Sequence, residues 1–322
     1  MNSRHAVFLD CASLDLGDLD LAPLREAFAS LSCHDRTSPE ELVERLQGAQ
    51  VAISNKVPLS AETLAALPDL KLILVAATGT NNVDLPAAQR LGITVCNSQG
   101  YGTPSVAQHT LMLMLALATR LPDYHHAVQA GRWQQASQFC LLDFPISELS
   151  GKTLGILGAG ELGSAVVRLA EAFGMRVLLG QLPGRPAQPD RLPLSELLPQ
   201  LDVLSLHCPL TPATAQLINR QHLDLLPRHA WLINTARGGL LDEQAVADAL
   251  REGRLGAAAL DVLSVEPPTA DNPLLAGDIP NLLITPHSAW GSREARQRIV
   301  GQLAENATAF FAGQPRRVVT PG

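Results

Sequence analysis

The chain has 322 residues, 46% of them hydrophobic, and a formal net charge of −7. That length and apolar content can bury a large core and predict two domains rather than one. Acidic and basic residues are interspersed without a basic patch or an Arg/Lys run, which argues against a nucleic-acid partner.

The longest purely apolar run, residues 111–118, is far too short to span a bilayer. The N-terminus turns acidic by Asp15, Asp18 and Asp20 with no uninterrupted apolar stretch, so no signal peptide, no membrane partner and a cytoplasmic location are expected. Cys11, Cys33, Cys96, Cys140 and Cys208 include no CxxC pair. They read as reduced, mostly buried thiols, with no metal site among them.

In chain order, short aliphatic runs alternate with amphipathic stretches, the pattern of βαβ units in parallel sheets. Strands are predicted over residues 6–9, 51–54, 70–76 and 93–96. Ser38-Pro39-Glu40-Glu41 opens a helix, with an N-cap serine, a proline at the first position and acids at the positive helix end. Residues 104–121 read as one helix, apolar almost all round and therefore buried between domains or subunits. From Gly151 a second series predicts strands at 153–157, 176–179, 203–206, 231–234, 257–261 and 282–285, enough for a complete dinucleotide-binding domain. The Pro/Gly-rich stretch 182–193 is expected to be a surface loop. A last helix over 293–312 is expected to pack back on the N-terminal domain, making that domain discontinuous.

Gly158-Ala159-Gly160-Glu161-Leu162-Gly163 follows a predicted strand and opens a predicted helix, the setting that makes GxGxxG a phosphate-binding fingerprint. Gly158 is expected to make the tight turn, Gly160 to let backbone approach a pyrophosphate, and Gly163 to let helix and strand pack closely. Glu161 and Leu162 begin a helix whose N-terminus offers positive dipole and unpaired N–H groups. The second strand ordinarily ends in an acid that holds the adenosine ribose. Here that place is Gln181, eighteen residues past Gly163. A neutral side chain does not repel a 2′-phosphate, and Arg185 lies in the same loop. The cofactor is therefore read as NAD(P)H, with NADPH favoured.

Three segments fall at or beyond C-terminal strand ends, where a doubly wound sheet places its site. They are Asn234-Thr235-Ala236-Arg237-Gly238-Gly239, Asp261-Val262-Leu263-Ser264-Val265-Glu266-Pro267 and Thr285-Pro286-His287-Ser288-Ala289-Trp290. A cation, a carboxylate and a histidine so placed can hold a carboxylic acid, polarise its 2-oxo group and protonate the alkoxide formed by hydride addition.

With His207-Cys208-Pro209-Leu210-Thr211 and the glycine motif, these segments resemble the D-isomer-specific 2-hydroxyacid dehydrogenase family, in order and essentially over the whole chain. The resemblance implies an α/β fold of two doubly wound parallel-sheet domains. Residues 1–99 with 291–322 would form a flavodoxin-like substrate-binding domain, and residues 100–290 an NAD(P)-binding Rossmann domain. It implies that Arg237 binds the substrate carboxylate and carbonyl, that His287 is the general acid/base, and that Glu266 hydrogen-bonds His287 so that a proton is available. It places Asp261, Cys208, Thr235 and Ala236 on the nicotinamide side.

Ala76-Ala77-Thr78-Gly79-Thr80-Asn81-Asn82-Val83-Asp84 resembles the family's substrate loop, in which the N–H groups of Thr78 and Gly79 cradle the carboxylate and Lys56 adds a nearby cation. With Gln99-Gly100-Tyr101-Gly102-Thr103-Pro104, this loop looks most like the glycerate dehydrogenase (hydroxypyruvate reductase) branch. The implied partners are a small 2-oxo or 2-hydroxy acid, also glyoxylate, and a second copy of the chain, docked through the helix from Pro104 and the segment around Trp133. Gln108 departs from the family's frequent Glu. A phosphite-type dehydrogenase, which keeps the same triad, and a nicotinamide-sensing binding protein of corepressor type remain alternatives. His125, His126, His222 and His229 lack such company and read as surface or helix-cap residues.

Overall fold

Most strands of both sheets are short runs rich in Val, Ile, Leu and Ala that are apolar on both faces, as parallel strands covered by helices must be. The computed structural model describes residues 4–321. They form two compact units, residues 4–102 with 291–321, and Thr103–Trp290.

The first unit carries β1 (His5–Phe8), β2 (Ser30–Cys33), β3 (Val51–Ser54), β4 (Leu72–Val75) and β5 (Thr94–Cys96). They lie in the order β2-β1-β3-β4-β5, all parallel. This is the flavodoxin-like order, with its switch point between β1 and β3. The strand β2 was not expected from the sequence. It is an edge strand of sequence Ser-Leu-Ser-Cys with no fully buried residue, so no apolar run marks it. The helix expected from Ser38 starts later, at Leu42–Leu46. A turn precedes it, in which the Ser38 N–H donates to Glu41 Oε2 at 2.9 Å. The expected acid thus caps the turn rather than extending the helix.

The helix Arg293–Phe311 belongs to this unit, capped by Ser292, whose hydroxyl accepts from the Ala295 N–H at 3.2 Å. Its buried Ile299, Val300, Leu303 and Ala307 join the core, and one charge goes in with them. The guanidinium of Arg296, 8% exposed, donates to both Asp18 oxygens at 2.8 and 2.7 Å, and to the carbonyls of Leu14 and Gly291 at 2.9 and 3.0 Å.

The second unit contains β6 (Thr153–Leu157), β7 (Arg176–Gly180), β8 (Val203–Leu206), β9 (Trp231–Asn234), β10 (Ala257–Leu260) and β11 (Leu282–Ile284), ordered β11-β10-β9-β8-β6-β7 and all parallel. Gly180 also makes a parallel bridge to Leu192, inside the stretch read as a surface loop. That bridge occupies the place of a third strand beside β7. With it the order from Leu192 to β10 is the dinucleotide-binding 3-2-1-4-5-6 arrangement, and β11 extends the sheet by one. Alternate residues feed two cores. Leu157, Leu204, Leu206, Leu232, Ala258 and Leu260 pack on one face, and Leu154, Ile156, Val203, Ile233, Ala257 and Ala259 on the other.

The long apolar helix is Thr103–Thr119, and its Ala107, Leu113, Met114, Leu117 and Ala118 lie in this second core. It packs onto the sheet of its own unit, which accounts for its apolar character. It stops at Arg120, which takes a left-handed φ of 54°, and a separate helix Leu121–Gln129 follows.

The Arg296 guanidinium holds the Asp18 carboxyl down to about 2. Its folded value is depressed, so its contribution is complete above the ordinary carboxylate range and is lost only as pH falls through about 2. Arg296→Ala leaves the Leu14 carbonyl and Asp18 without their donor and should lower Tm by on the order of 5 °C. Calorimetry should find the same deficit at neutral pH and near pH 5, and a deficit that disappears by pH 5 contradicts the assignment.

Candidate active site

At the C-terminal end of β6 the chain turns at Gly158, whose φ of +101° excludes other residues at low cost. A Cβ there would lie 2.6 Å from the Cys208 nitrogen and the His207 carbonyl carbon, so the turn is pressed against the end of β8, at the switch point of the sheet. A Cβ on Gly163 would lie 2.0 Å from the Gly158 carbonyl oxygen, which is the close helix–strand contact expected of the third glycine. Gly160, at the N-cap of the helix Glu161–Ala172, has no atom within 4 Å of its Cβ position. A helix N-terminus with its first N–H groups unpaired, opening on clear space, fits the pyrophosphate of a dinucleotide. Glu161 accepts from the Thr103 hydroxyl at 2.7 Å. Burial pushes the Cys208 thiol up to about 11 and the neighbouring His207 down to about 4. His207 is thereby a neutral ring, with Nε2 2.9 Å from the Ser205 hydroxyl.

Beyond β11 the residues 285–289 form a turn organised by one buried carboxylate. Asp261, 1% exposed, accepts from the Thr285 hydroxyl at 2.5 Å and the Ser288 N–H at 3.0 Å through Oδ1, and from the Ala289 N–H at 2.9 Å through Oδ2. Its backbone carbonyl takes the His287 N–H at 2.7 Å. This turn holds His287 at a left-handed φ of 51°, a conformation a non-glycine residue keeps only when its surroundings enforce it. The sequence reading set Asp261 against the nicotinamide. In the structure its carboxylate is occupied by the turn, because three N–H and O–H donors converge on it.

Two residues of the helix Thr103–Thr119 support the same arrangement and were not anticipated. His109 Nε2 lies 3.0 Å from the Thr285 hydroxyl and 3.4 Å from Asp261 Oδ1, and the Thr110 hydroxyl lies 2.9 Å from that of Thr235. Thr285 donates to Asp261, so it accepts from His109, which assigns the proton to Nε2. The available signal was three consecutive polar residues, Gln108-His109-Thr110, ahead of the apolar run at 111–118.

His287 Nδ1 is 2.5 Å from Glu266 Oε2, and Glu266 Oε1 accepts from the Leu263 N–H at 3.0 Å. The carboxylate is thus fixed at one oxygen by backbone while the other orients the imidazole. Both side chains remain about one-third exposed, at 30% and 34%. Arg237 follows β9 on a turn stapled by the buried Asn234, which accepts from the Ala236 N–H at 3.0 Å and donates to the Arg237 carbonyl at 2.9 Å. Its exposed guanidinium donates through Nη1 to the Ala236 carbonyl at 2.7 Å. Next in sequence, a Cβ on Gly238 would fall 1.9 Å from the Leu263 carbonyl carbon. The glycine lets the Arg237 segment lie directly against the segment that leads to Glu266. Within this unit the structure therefore gathers all three residues of the expected triad onto neighbouring strand ends.

Gln181 behaves differently from expectation. Its Nε2 donates to the carbonyls of Leu182, Arg185 and Pro186 at 3.2, 3.0 and 3.1 Å, and its Oε1 accepts from the Gln188 N–H at 3.3 Å. The amide closes its own loop rather than standing open to a ribose. Arg185 is exposed on that loop, with no side-chain hydrogen bond among the described residues.

In the other unit, Thr78 donates its hydroxyl to the Ser98 carbonyl at 2.9 Å, and its carbonyl accepts from Asn97 Nδ2 at 2.7 Å. The N–H groups of Thr78 and Gly79 have no acceptor among the described residues. Lys56 is exposed, and its backbone N–H, with that of Asn55, donates to the buried Asp10 carboxylate at 2.7 and 2.9 Å. No group of three or more His, Cys, Asp or Glu side chains could hold a metal among the described residues, and none of their helices is long and apolar enough to cross a membrane.

Gly238→Ala should force apart the segments bearing Arg237 and Glu266 and reduce kcat/KM by about tenfold or more, while the protein still folds. Gly277→Ala, where a Cβ meets nothing within 4 Å, is the matched control and should be silent. Equal activity of the two variants contradicts the close contact as the reason for the glycine.

A family model described as the NAD binding domain of D-isomer specific 2-hydroxyacid dehydrogenases matches residues 111–289. The chain is 46% identical over 320 residues to the glycerate dehydrogenase of Methylorubrum extorquens, covering 98% of this chain and 99% of that protein. It is 38% identical over 320 residues to the hydroxypyruvate reductase of Blautia hydrogenotrophica, covering 97% and 98%. Among solved structures, an acyclic imino acid reductase in complex with NADPH and D-Arg superposes with a TM-score of 0.85 at 27% identity, covering 98% of this chain and 99% of the other. With its two parallel-sheet domains, its glycine turn and its Arg, Glu and His on neighbouring strand ends, this chain belongs to the D-isomer specific 2-hydroxyacid dehydrogenase family, oxidoreductases that move hydride between a nicotinamide cofactor and a 2-hydroxy or 2-oxo acid.

Proposed function

We propose that this enzyme reduces hydroxypyruvate to D-glycerate, and glyoxylate alongside it, using NADPH at least as well as NADH. The observation that carries the chemistry is the 2.5 Å contact of His287 Nδ1 with Glu266 Oε2, on a turn that Asp261 holds in place. The substrate assignment is supported by the glycerate dehydrogenase and hydroxypyruvate reductase relatives, which match this chain along nearly its whole length.

The reduced nicotinamide, when bound, supplies the hydride for the carbonyl carbon. With Nδ1 engaged by Glu266, Nε2 of His287 is the nitrogen that gives its proton to the developing alkoxide in reduction and takes it back in oxidation. Arg237 holds the carboxylate with its planar fork and draws electron density from the carbonyl oxygen. The N–H groups of Thr78 and Gly79 are assigned to the carboxylate as well, since neither has an acceptor among the described residues, with Lys56 as an auxiliary cation. Gly158, Gly160, Glu161, Leu162 and Gly163 are assigned to the pyrophosphate, and Cys208, Thr235 and Ala236 to the nicotinamide side.

NADPH is favoured because no carboxylate ends β7 to repel a 2′-phosphate and the exposed Arg185 is available to bind one. Exposed Trp133, Phe139, Leu142 and Ile146, at 51, 89, 78 and 56%, support a homodimer. We assign the enzyme to the cytoplasm.

His287→Ala should lower kcat for hydroxypyruvate reduction by roughly a hundredfold or more while NADPH still binds and quenches or shifts its fluorescence. Near-normal turnover would remove His287 from the mechanism, and binding without turnover in the wild type would make the protein a nicotinamide sensor. Arg185→Ala should weaken NADPH selectively, by about tenfold in kcat/KM, and Gln181→Asp should shift preference towards NADH. A wild type that strongly prefers NADH, with Arg185→Ala silent, contradicts the cofactor assignment.

A further inference from the structure

Cys11 and Cys33 are 22 positions apart, yet the fold sets them side by side. In the parallel pairing of β1 with β2, Phe8 is opposite Cys33. One step further, the Cys11 N–H donates to the His34 carbonyl at 2.8 Å. Cys11 opens the 3-10 turn Cys11–Ser13 that follows β1 and is buried, whereas Cys33 is exposed at the end of the edge strand. Both are free thiols. One accessible sulfur thus meets one protected sulfur within a single unit, on backbone fixed by the sheet.

We propose that Cys33 and Cys11 form a dithiol redox site, in which a hydroperoxide converts the pair reversibly to a disulfide and thereby loosens the enzyme's hold on its carboxylate substrate. The neighbouring Cys11 thiol and, after burial opposes it, the Arg25 guanidinium bring the Cys33 thiol down to about 7, while the neighbouring Cys33 and burial push Cys11 up. Asp15 and Asp35 face the pair and disfavour both thiolates. Cys33 is therefore the attacking sulfur. Its thiolate takes one oxygen of the hydroperoxide as the O–O bond breaks, and a proton from solvent releases the other oxygen as water, or as an alcohol from an organic peroxide. The resulting sulfenic acid is attacked by the Cys11 sulfur. The S–S bond forms, the S–O bond breaks, and the Cys11 proton leaves with that oxygen as water. Two thiols are oxidised and one peroxide is reduced. Of the other cysteines, Cys96 and Cys208 are buried and pushed up to about 11, which makes them poor competitors.

The effect on substrate passes through Asp10, next to Cys11 in sequence. Its buried carboxylate fixes the backbone N–H groups of Asn55 and Lys56. Drawing Cys11 into covalent contact with Cys33 moves the turn that begins at Asp10, and with it the strand end carrying Lys56. This second half rests on the carboxylate role proposed for Lys56.

The test treats the full-length enzyme with hydrogen peroxide, removes the oxidant with catalase, alkylates and digests with trypsin without reduction. Residues 5–25 and 26–36 are separate tryptic peptides, each with one of the two cysteines. They should be recovered joined, two hydrogens lighter than their sum, and separate again after dithiothreitol. In parallel, KM for hydroxypyruvate should rise by about threefold or more with a smaller change in kcat, reversibly, and Cys33→Ser should abolish both effects. Separate peptides after peroxide overturn the dithiol site. Joined peptides with an unchanged KM overturn the path through Asp10, and an equal loss of activity in Cys33→Ser overturns Cys33 as the sensor. Absence of hydroxypyruvate turnover before oxidation would contradict the proposed substrate, and the peptide map still decides the dithiol by itself.

Discussion

The carboxylate of Asp261 is the constraint on which the catalytic geometry rests. It is almost wholly buried, and charge so placed persists only because donors saturate it. Those donors are the N–H groups of Ser288 and Ala289 and the Thr285 hydroxyl, each bond to a charged acceptor worth about 1.5–3 kcal/mol. The residues 285–289 therefore have one low-energy shape, and that shape carries His287 at a positive φ. His109 extends the network into the helix Thr103–Thr119, so the core of the unit and the orientation of the proposed acid are coupled.

Glycine has a comparable role at two places where the turn beyond one strand meets the backbone of another segment. Gly158 allows the phosphate turn to touch the end of β8, and Gly238 allows the Arg237 turn to touch the segment before Glu266. At both, a Cβ would lie under 3 Å from main-chain atoms that cannot rotate away. Close approach, more than flexibility, is what these positions need.

Much of this was legible in the sequence. The aliphatic runs located ten of the eleven strands, because parallel strands buried on both faces announce themselves by composition. The glycine motif and the Arg, Glu and His segments were recognisable by order and context. What escaped has physical reasons. The edge strand β2 has exposed Ser30 and Cys33 and a half-buried Ser32 in place of an aliphatic run. The bridge at Leu192 is a single residue within a Pro/Gly-rich loop. Composition does not mark the helix break at Arg120. The engagement of Asp261 with the turn at 285–289 and of Gln181 with its own loop depends on side-chain placement, which residue type does not reveal. His109 and Thr110 were hidden because a polar residue in an apolar helix has no motif to identify its partner.

The central claim is that this active site adds hydride to the 2-carbon of a 2-oxo acid and a proton, through His287, to its oxygen. The most direct measurement reduces hydroxypyruvate in ordinary water with NADPH carrying deuterium at the transferable C4 position, followed by NMR and chiral analysis of the product. The account predicts D-glycerate with deuterium at C2 and none at the hydroxyl. Glycerate without deuterium at C2, or of the L configuration, would contradict it, as would recovery of unreacted hydroxypyruvate beside intact cofactor.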